Sequence, residues 1–249
     1  MMNISVVINT LNAEKHLDEV LDSVKEFDEI LLCDMHSEDA TLAIAEKYNA
    51  KIIFHEKTGF VEPARNFAIS QAKNEWVLLL DADETVNSDL KNYLQKIAAE
   101  KPEIACFAIP RKNYFLGRFM HSAYPDYVYR FFKKSKIHWP EYIHSIPNID
   151  GEVFKINSKN RSLAIEHLAN DTISHTQHKN NLYSTAEIPK RQHQKVGFFK
   201  LLTSPFFWFF KYYFVKQGFR DGKEGFIFAC LKSQYKFLTL SKLIEYKKK

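Results

Sequence analysis

Short apolar runs alternate with longer amphipathic segments along the first hundred residues. The runs are rich in Val, Ile and Leu, which is typical of strands covered on both faces. The segments between them repeat apolar residues every three or four positions and predict helices with one buried face. The predicted strands are 4–10, 29–34, 51–54 and 76–80, and the predicted helices are one capped by Asn12 and those at 39–48, 63–72 and 88–100.

Strands that alternate with helices of this length indicate βαβ units. Because such crossovers are right-handed, we expect an α/β fold with a Rossmann-like, mostly parallel sheet. Beyond residue 100 the pattern is less regular. Strands are predicted at 105–110 and 127–132, with one or two more within 162–175 and a helix around Tyr183 and Ala186.

Charge is distributed unevenly between the body of the chain and its end. Residues 195–249 carry 12 Lys and Arg against 3 Asp and Glu, a net charge of +9, although the whole chain carries only +5. The body is therefore acidic. We predict two domains, an α/β domain at 1–195 and a basic, aromatic, helical extension at 196–249.

The extension contains a dense aromatic block from Phe198 to Lys216. A spanning helix needs about 20 apolar residues, and lysines interrupt this block too often for one. Aromatic residues flanked by Lys predict peripheral contact with an anionic membrane. The alternative is a helical hairpin packed on the domain or against a second subunit. Nucleic-acid binding is not indicated, because no recognition pattern is present.

The three cysteines show no spacing typical of disulfides or metal sites, which favours a reducing compartment. The chain opens directly on a predicted strand, with no pattern of a signal peptide. We therefore expect a cytoplasmic protein on the inner face of the cytoplasmic membrane.

Two carboxylates, Asp81 and Asp83, follow the strand 76–80 directly. The carboxyl ends of strands in open α/β sheets border the ligand crevice. Oxygen ligands there suit Mg²⁺ or Mn²⁺ bound to a diphosphate. The alternative is that both aspartates only end the strand and cap the next helix.

Four segments occur together along the chain. They are the strand end Ser5 to Asn12, the turn Cys33 to Thr41, the helix start Gly59 to Ala68 with Arg65-Asn66, and Asp81-Ala82-Asp83. Their order resembles family 2 glycosyltransferases. In the second segment, His36 stands where that family usually has glycine.

Further segments resemble the branch of bacterial lipopolysaccharide-core β-glycosyltransferases that add a hexose to inner-core heptose. They are Pro110 to Arg118, Tyr124-Pro125-Asp126, Arg130-Phe131-Phe132, and Gly218 to Gly222 followed by Gly225-Phe226. The resemblance implies a GT-A fold, a nucleotide-sugar donor and transfer with inversion.

Within this resemblance, the strand-end residues receive roles toward the donor. Asp83 is expected to bind the metal, and Asp81 the ribose or the metal. Asp34 would accept from a nucleobase N–H, and Arg65 would contact the base or a phosphate. Thr10 and Asn12 line the same strand end and complete the residues expected to face the donor. The alternatives are turn formation or helix capping for Asp34 and Asp39, and a surface ion pair for Arg65.

Inversion also requires a general base near the acceptor hydroxyl. Related enzymes have His-Glu where this chain has His144-Ser145, so the expected glutamate is absent. Asp126 is the first candidate, and Glu141 and His144 are the others. Arg111, Arg118 and Arg130 are expected either to meet phosphates of an anionic acceptor or to be ordinary surface residues.

These expectations combine into a metal-dependent hexosyltransferase. We expect it to move glucose from UDP-glucose, with Mg²⁺ or Mn²⁺, onto a lipopolysaccharide-core or related glycolipid or oligosaccharide acceptor. The alternatives are a glycosyltransferase for another cell-surface polysaccharide and a non-catalytic nucleotide-sugar-binding scaffold.

Overall fold

A computed structural model of the chain describes residues 3–57, 61–140, 146–168 and 172–248. The chain forms two compact units. The first comprises Met1–Lys112 and Pro125–Leu168, and the second comprises Asn113–Tyr124 and Ala169–Lys249.

Strands and helices alternate through the first hundred residues, as the apolar pattern predicts. The elements are β1 (Ile4–Thr10), α1 (Glu14–Val24), β2 (Glu29–Asp34), α2 (Thr41–Lys47), β3 (Lys51–Phe54), α3 (Glu62–Ser70), β4 (Trp76–Asp81), β5 (Glu84–Thr85) and α4 (Ser88–Glu100).

Short strands dominate the middle of the chain, where the sequence pattern is irregular. They are β6 (Cys106–Phe115), β7 (Arg118–Phe119), β8 (Asp126–Lys133), β9 (Ile137–His138), β10 (Asn148–Ile149), β11 (Val153–Lys155) and β12 (Ile165–His167).

The main sheet has the strand order β3-β2-β1-β4-β8-β6-β12-β5. Strands β3, β2, β1 and β4 are parallel, whereas β8 runs antiparallel to both β4 and β6. The predicted α/β class is therefore confirmed, with a sheet that is parallel across its amino-terminal half. The parallel half brings the carboxyl ends of β1, β2 and β4 to one edge.

Alternation along β1 separates two hydrophobic layers. Val6 and Ile8 belong to a core that contains Leu17 of α1, whereas Val7 belongs to a core that contains Ala64 of α3. All five side chains are fully buried. Burial of each large aliphatic side chain contributes about 1.5–3 kcal/mol, so helices on both faces stabilise this sheet.

The expected helix cap by Asn12 is wrong. The residue that precedes α1 is Ala13, and it makes no side-chain capping bond. Asn12 adopts a left-handed backbone conformation with φ +49°, and its Oδ1 accepts the backbone N–H of Glu38 at 2.8 Å. Asp39 Oδ2 instead accepts the N–H of Glu14 at 3.0 Å. The loop after β2 therefore provides the hydrogen-bond acceptor for a backbone N–H group at the start of α1.

The second unit is mainly helical. Its helices are α5 (Ile173–Ala186), α6 (Ile188–Arg191), α7 (Phe198–Phe210), which continues as a π-helical segment Lys211–Val215, and α8 (Gly222–Tyr246).

Helix α5 belongs to this unit because its polar side chains bind α8. Lys242 Nζ donates to the carbonyl of Asn181 at 2.7 Å and to Ser184 Oγ at 2.9 Å. Gln177 Nε2 donates to Gln234 Oε1 at 2.8 Å. The structural division therefore falls after Leu168, earlier in the chain than the division at 195/196 expected from charge. The described residues include no helix with both the length and the apolar character to cross a membrane.

The glycines just before α8 and in its first turn pack where side chains have no room. A Cβ added to Gly225 would lie 2.0 Å from the carbonyl oxygen of Gly218. Between them, the fully buried Asp221 accepts hydrogen bonds from the backbone N–H groups of His121 and Ser122 at 2.9 and 3.0 Å. This segment therefore anchors residues 113–124 to α8.

Candidate active site

Polar side chains gather where the parallel strands end. Thr10 pairs with Asp34 across β1 and β2, and Asn9 pairs with Asp81 across β1 and β4. The register therefore places Asp34 and Asp81 on either side of the end of β1. This is the edge at which the sequence predicts a nucleotide site.

The carboxylate of Asp34 shapes the turn after β2. It is fully buried and accepts hydrogen bonds from Thr10 Oγ1 at 2.8 Å and from the N–H and Oγ of Ser37 at 2.8 and 2.6 Å. His36 takes the left-handed conformation expected of glycine, with φ +60°, and its ring stacks on Phe54 with centroids 5.5 Å apart. Thr10 and Asp34 thus build the turn, and their contact with a nucleobase stays a prediction.

Both carboxylate oxygens of Asp81 face arginines. Oδ1 accepts from Arg65 Nη2 at 3.0 Å, and Oδ2 accepts from Arg130 Nη2. Burial alone would raise the pKa of the Asp81 carboxyl, but the charges of Arg130 and Arg65 hold that pKa well below its usual range. At neutral pH Asp81 is therefore an anion held between two arginines.

Arg65 is anchored beside this carboxylate. Only 12% of its side chain is exposed, and its guanidinium lies over the Trp139 ring, 5.6 Å from the centroid. The neighbouring Asn66 donates to the Trp139 carbonyl at 2.7 Å and accepts its N–H at 2.9 Å. Arg65 is therefore not a surface ion-pair partner, because its partner Asp81 belongs to the strand end.

Glu84 is a site residue that the sequence reasoning missed. It is fully buried, and its Oε1 accepts from Arg111 Nη1 at 2.7 Å and from Arg130 Nη2 at 3.1 Å. Its Oε2 accepts the backbone N–H of Asp81 at 3.0 Å. Glu84 therefore fixes the turn that carries the two aspartates. The signal in the sequence is a third acidic residue directly after Asp83.

Asp126 completes this chain of charges at the start of β8. Its Oδ2 accepts from Arg111 Nε at 3.1 Å and from Arg111 Nη2 at 2.7 Å, across the Arg111–Asp126 pair of β6 and β8. The six ionic side chains form the strand-end network, which alternates cations and anions and has a formal charge of zero. Its members are Arg65, Asp81, Arg130, Glu84, Arg111 and Asp126.

Asp83, two residues after Asp81, lies beside a histidine. Its Oδ2 lies 3.5 Å from Nε2 of His167, with 28% of the aspartate and 12% of the histidine side chain exposed. The backbone supports this pair, because Leu168 N–H donates to the Asp83 carbonyl at 2.8 Å. His167 is not among the candidate site residues named from the sequence. Helix α4 is capped by Asn87, whose Oδ1 accepts from Leu90 N–H, so the two aspartates do not serve as its cap.

Two atoms bound to one small divalent cation at about 2.1 Å lie about 3.0–3.4 Å apart. Asp83 Oδ2 and His167 Nε2, 3.5 Å apart, lie close to that range. In the part of the chain that the structure describes, no group of three or more His, Cys, Asp or Glu side chains is arranged as a metal cage. Substrate oxygens and water can complete the coordination of a metal bound to such a pair, as they do for Mg²⁺ with nucleotide phosphates.

Two of the three candidate bases, Glu141 and His144, lie outside the described residues. Arg118 belongs to the second unit, where its Nη1 lies 3.4 Å from Glu224 and half of its side chain is exposed. Arg111 and Arg130 bind carboxylates rather than forming an open anion site.

The family model described as glycosyl transferase family 2 matches residues 5–155. An uncharacterised glycosyltransferase of Rickettsia conorii is 28% identical over 97% of this chain and 90% of its own length. The lipopolysaccharide core biosynthesis glycosyltransferase LpsC of Rhizobium meliloti is 26% identical over 97% of this chain and 92% of its own.

The crystal structure of TarS from Staphylococcus aureus is similar over 97% of this chain and 55% of that protein, with a TM-score of 0.52 and 16% identity. At that identity the likeness shows the fold alone, and it confirms the expected GT-A architecture.

Proposed function

The chain belongs to glycosyl transferase family 2, and from that premise we propose that it transfers glucose from UDP-glucose, with inversion, onto a lipopolysaccharide-core or related glycolipid acceptor. The observation that carries this proposal is the strand-end network with Asp83 and His167 beside it. The similarity to LpsC over nearly the whole chain supports the acceptor class.

Asp83 and His167 would hold a divalent metal, Mg²⁺ or Mn²⁺, against the donor diphosphate. The metal supplies Lewis-acid stabilisation of the charge that develops on the leaving diphosphate. Asp81 is not proposed as a direct ligand, because Arg65 and Arg130 occupy its two oxygens. Asp81 instead positions Arg65, whose charge lies at the edge where the donor phosphates would arrive.

Asp126 is proposed as the general base. Its carboxylate would accept the proton of the acceptor hydroxyl while that oxygen attacks the anomeric carbon and the bond to the diphosphate breaks. With 40% of its side chain exposed, the carboxylate remains accessible to an acceptor. Two hydrogen bonds from Arg111 Nε and Nη2 fix its orientation.

A donor screen tests this function. Purified protein is incubated with Mn²⁺, a lipopolysaccharide-core acceptor and UDP-, GDP- or dTDP-hexoses, and nucleotide release is measured. We expect acceptor-dependent release of UDP from UDP-glucose at the highest kcat/KM of the series. UDP binding without release from any donor would identify a nucleotide-sugar-binding scaffold instead. Transfer only to another polysaccharide would overturn the proposed acceptor.

The metal assignment predicts the effect of substitutions on Mn²⁺ binding. Asp83→Asn and His167→Asn should each weaken Mn²⁺ affinity in the presence of UDP by about 10- to 100-fold, since each removes one of few protein ligands. Electron paramagnetic resonance of free Mn²⁺ measures this without any turnover.

The matched control for both variants is Asp150→Asn, which removes an exposed carboxylate of the first unit. Its Mn²⁺ affinity should equal that of the wild type. Unchanged affinity in Asp83→Asn would show that the metal is held elsewhere.

A further inference from the structure

A continuous apolar surface covers one side of α7. Its members recur at helical spacing, and their exposed fractions run from 52% at Leu202 to 80% at Phe198. We define the aromatic face of α7 by these side chains, which are Phe198, Phe199, Leu202, Phe206, Phe207 and Phe210. Phe214 and Val215 extend it into the π-helical segment, again with about half or more of each side chain exposed.

The opposite side of the same helix is packed. Phe209 meets Phe226 of α8 edge to face with centroids 5.6 Å apart, and Ser233 Oγ donates to the Pro205 carbonyl at 2.8 Å. Tyr212 of the π-helical segment contacts Phe228 at 5.9 Å. The helix therefore uses half of its circumference to join α8 and presents the other half to solvent.

Nearly all charged side chains in the stretch that carries the aromatic face are cations. Residues 192–223 contain one carboxylate, Asp221, which is fully buried and bound by His121 and Ser122. The cations of the same stretch are Lys195, Lys200, Lys211, Lys216, Arg220 and Lys223. Of these, Lys200 and Lys216 are exposed near the two ends of the face.

We propose that the aromatic face of α7 docks this protein on an anionic lipid bilayer. Phenylalanine side chains would enter the boundary between head groups and acyl chains, and the surrounding lysines would remain at the anionic head groups. A second copy of the chain is a less favourable partner for the aromatic face than a bilayer is. A two-fold contact through this face would bring two basic rims together. Contiguous exposed apolar patches with a polar rim mark sites that bind proteins or membranes.

Docking on lipid goes beyond the transfer reaction and does not depend on it. It would place an enzyme with no described spanning helix at the surface that carries a lipid-linked acceptor. Binding to vesicles requires neither donor nor acceptor, so its failure is distinguishable from failure of the proposed function.

Vesicle co-sedimentation of the full chain tests the docking. We expect binding to vesicles of phosphatidylcholine with phosphatidylglycerol, weak binding to phosphatidylcholine alone, and a severalfold loss of binding between about 50 and 500 mM salt. The variant Phe206→Ser/Phe210→Ser should bind at least about tenfold more weakly, because it removes two apolar anchors. Lys200→Glu/Lys216→Glu should lose binding selectively to the anionic vesicles.

The matched control is Leu182→Ser, which changes an apolar side chain of α5 that is 53% exposed and lies outside the aromatic face. It should bind as the wild type does. Circular dichroism and UDP affinity verify that each variant is folded. Wild-type protein that stays in the supernatant with anionic vesicles at low salt would overturn the proposal. A dimer that Phe206→Ser/Phe210→Ser dissociates would also overturn it, in favour of a second copy.

Discussion

Replacement of Arg130 by methionine is expected to lower the free energy of unfolding by about 3–5 kcal/mol. Arg130 is 6% exposed and donates to both Asp81 and Glu84. Methionine fills a similar volume but leaves Asp81 Oδ2 without a cation and Glu84 with Arg111 as its remaining arginine. The loss arises mainly because the fully buried Glu84 and the partly exposed Asp81 keep too little compensating charge.

Urea unfolding at neutral pH measures this loss. The matched control is Lys136→Met, which removes a cation from an exposed pair with Asp150, 2.7 Å apart. Exposed pairs contribute about 0–1 kcal/mol, so the control should differ little from the wild type. Equal effects of the two substitutions would show that the strand-end network contributes no more than a surface ion pair.

The same substitution should change how stability depends on pH. The pKa of Asp81 is lowered in the folded protein, so its stabilising contribution is present above the ordinary aspartate pKa of about 3.9 and is lost as pH falls below it. Without Arg130 that pKa is less depressed. The wild type should therefore lose more stability than Arg130→Met between about pH 5 and pH 3.

Much of the fold follows from local pattern. The strands β1, β2 and β4 are buried on both faces, so their apolar runs are long enough to identify them without knowledge of the partners. The position of Asp81 and Asp83 at a strand end follows from the same pattern. Parallel topology then brings that strand end beside Asp34, which is why the approximate place of the site is predictable.

The partners of the charged residues are less predictable, because they are set by long-range pairing. Glu84 meets Arg111 and Arg130 only once β6 and β8 have joined the sheet. From the sequence alone, where their partners are unknown, those arginines suggest binding of substrate phosphates. The structure assigns them to carboxylates, because a fully buried glutamate requires opposite charge.

One local expectation is wrong, and the expected domain boundary differs from the division by packing. The cap of α1 was assigned to Asn12 from residue type, but its left-handed backbone turns the side chain toward Glu38 instead. The division at 195/196 followed the change in charge. The structural division follows packing, and α5 packs on α8 through polar contacts that leave no apolar periodicity in the sequence.

Replacement of Asp126 by asparagine is expected to lower kcat for transfer by at least about 100-fold. Asparagine keeps the size of the side chain and can still accept a hydrogen bond from Arg111, but it does not take a proton from the acceptor. Affinities for UDP and Mn²⁺ should stay within about threefold, because the proposed role concerns the acceptor alone. Rates with saturating donor and acceptor, together with UDP titration, measure both quantities.

Comparison of Asp126→Asn with two other aspartate variants makes this result specific. Asp150→Asn removes a carboxylate that is 83% exposed and pairs with Lys136, and it should transfer at the wild-type rate. Asp83→Asn should weaken Mn²⁺ binding, whereas Asp126→Asn should not. That separation would divide the site into a group that holds the leaving diphosphate and a group that activates the acceptor. Transfer by Asp126→Asn at close to the wild-type rate would contradict its role, and the same measurement on Glu141→Gln and His144→Asn would then identify the base.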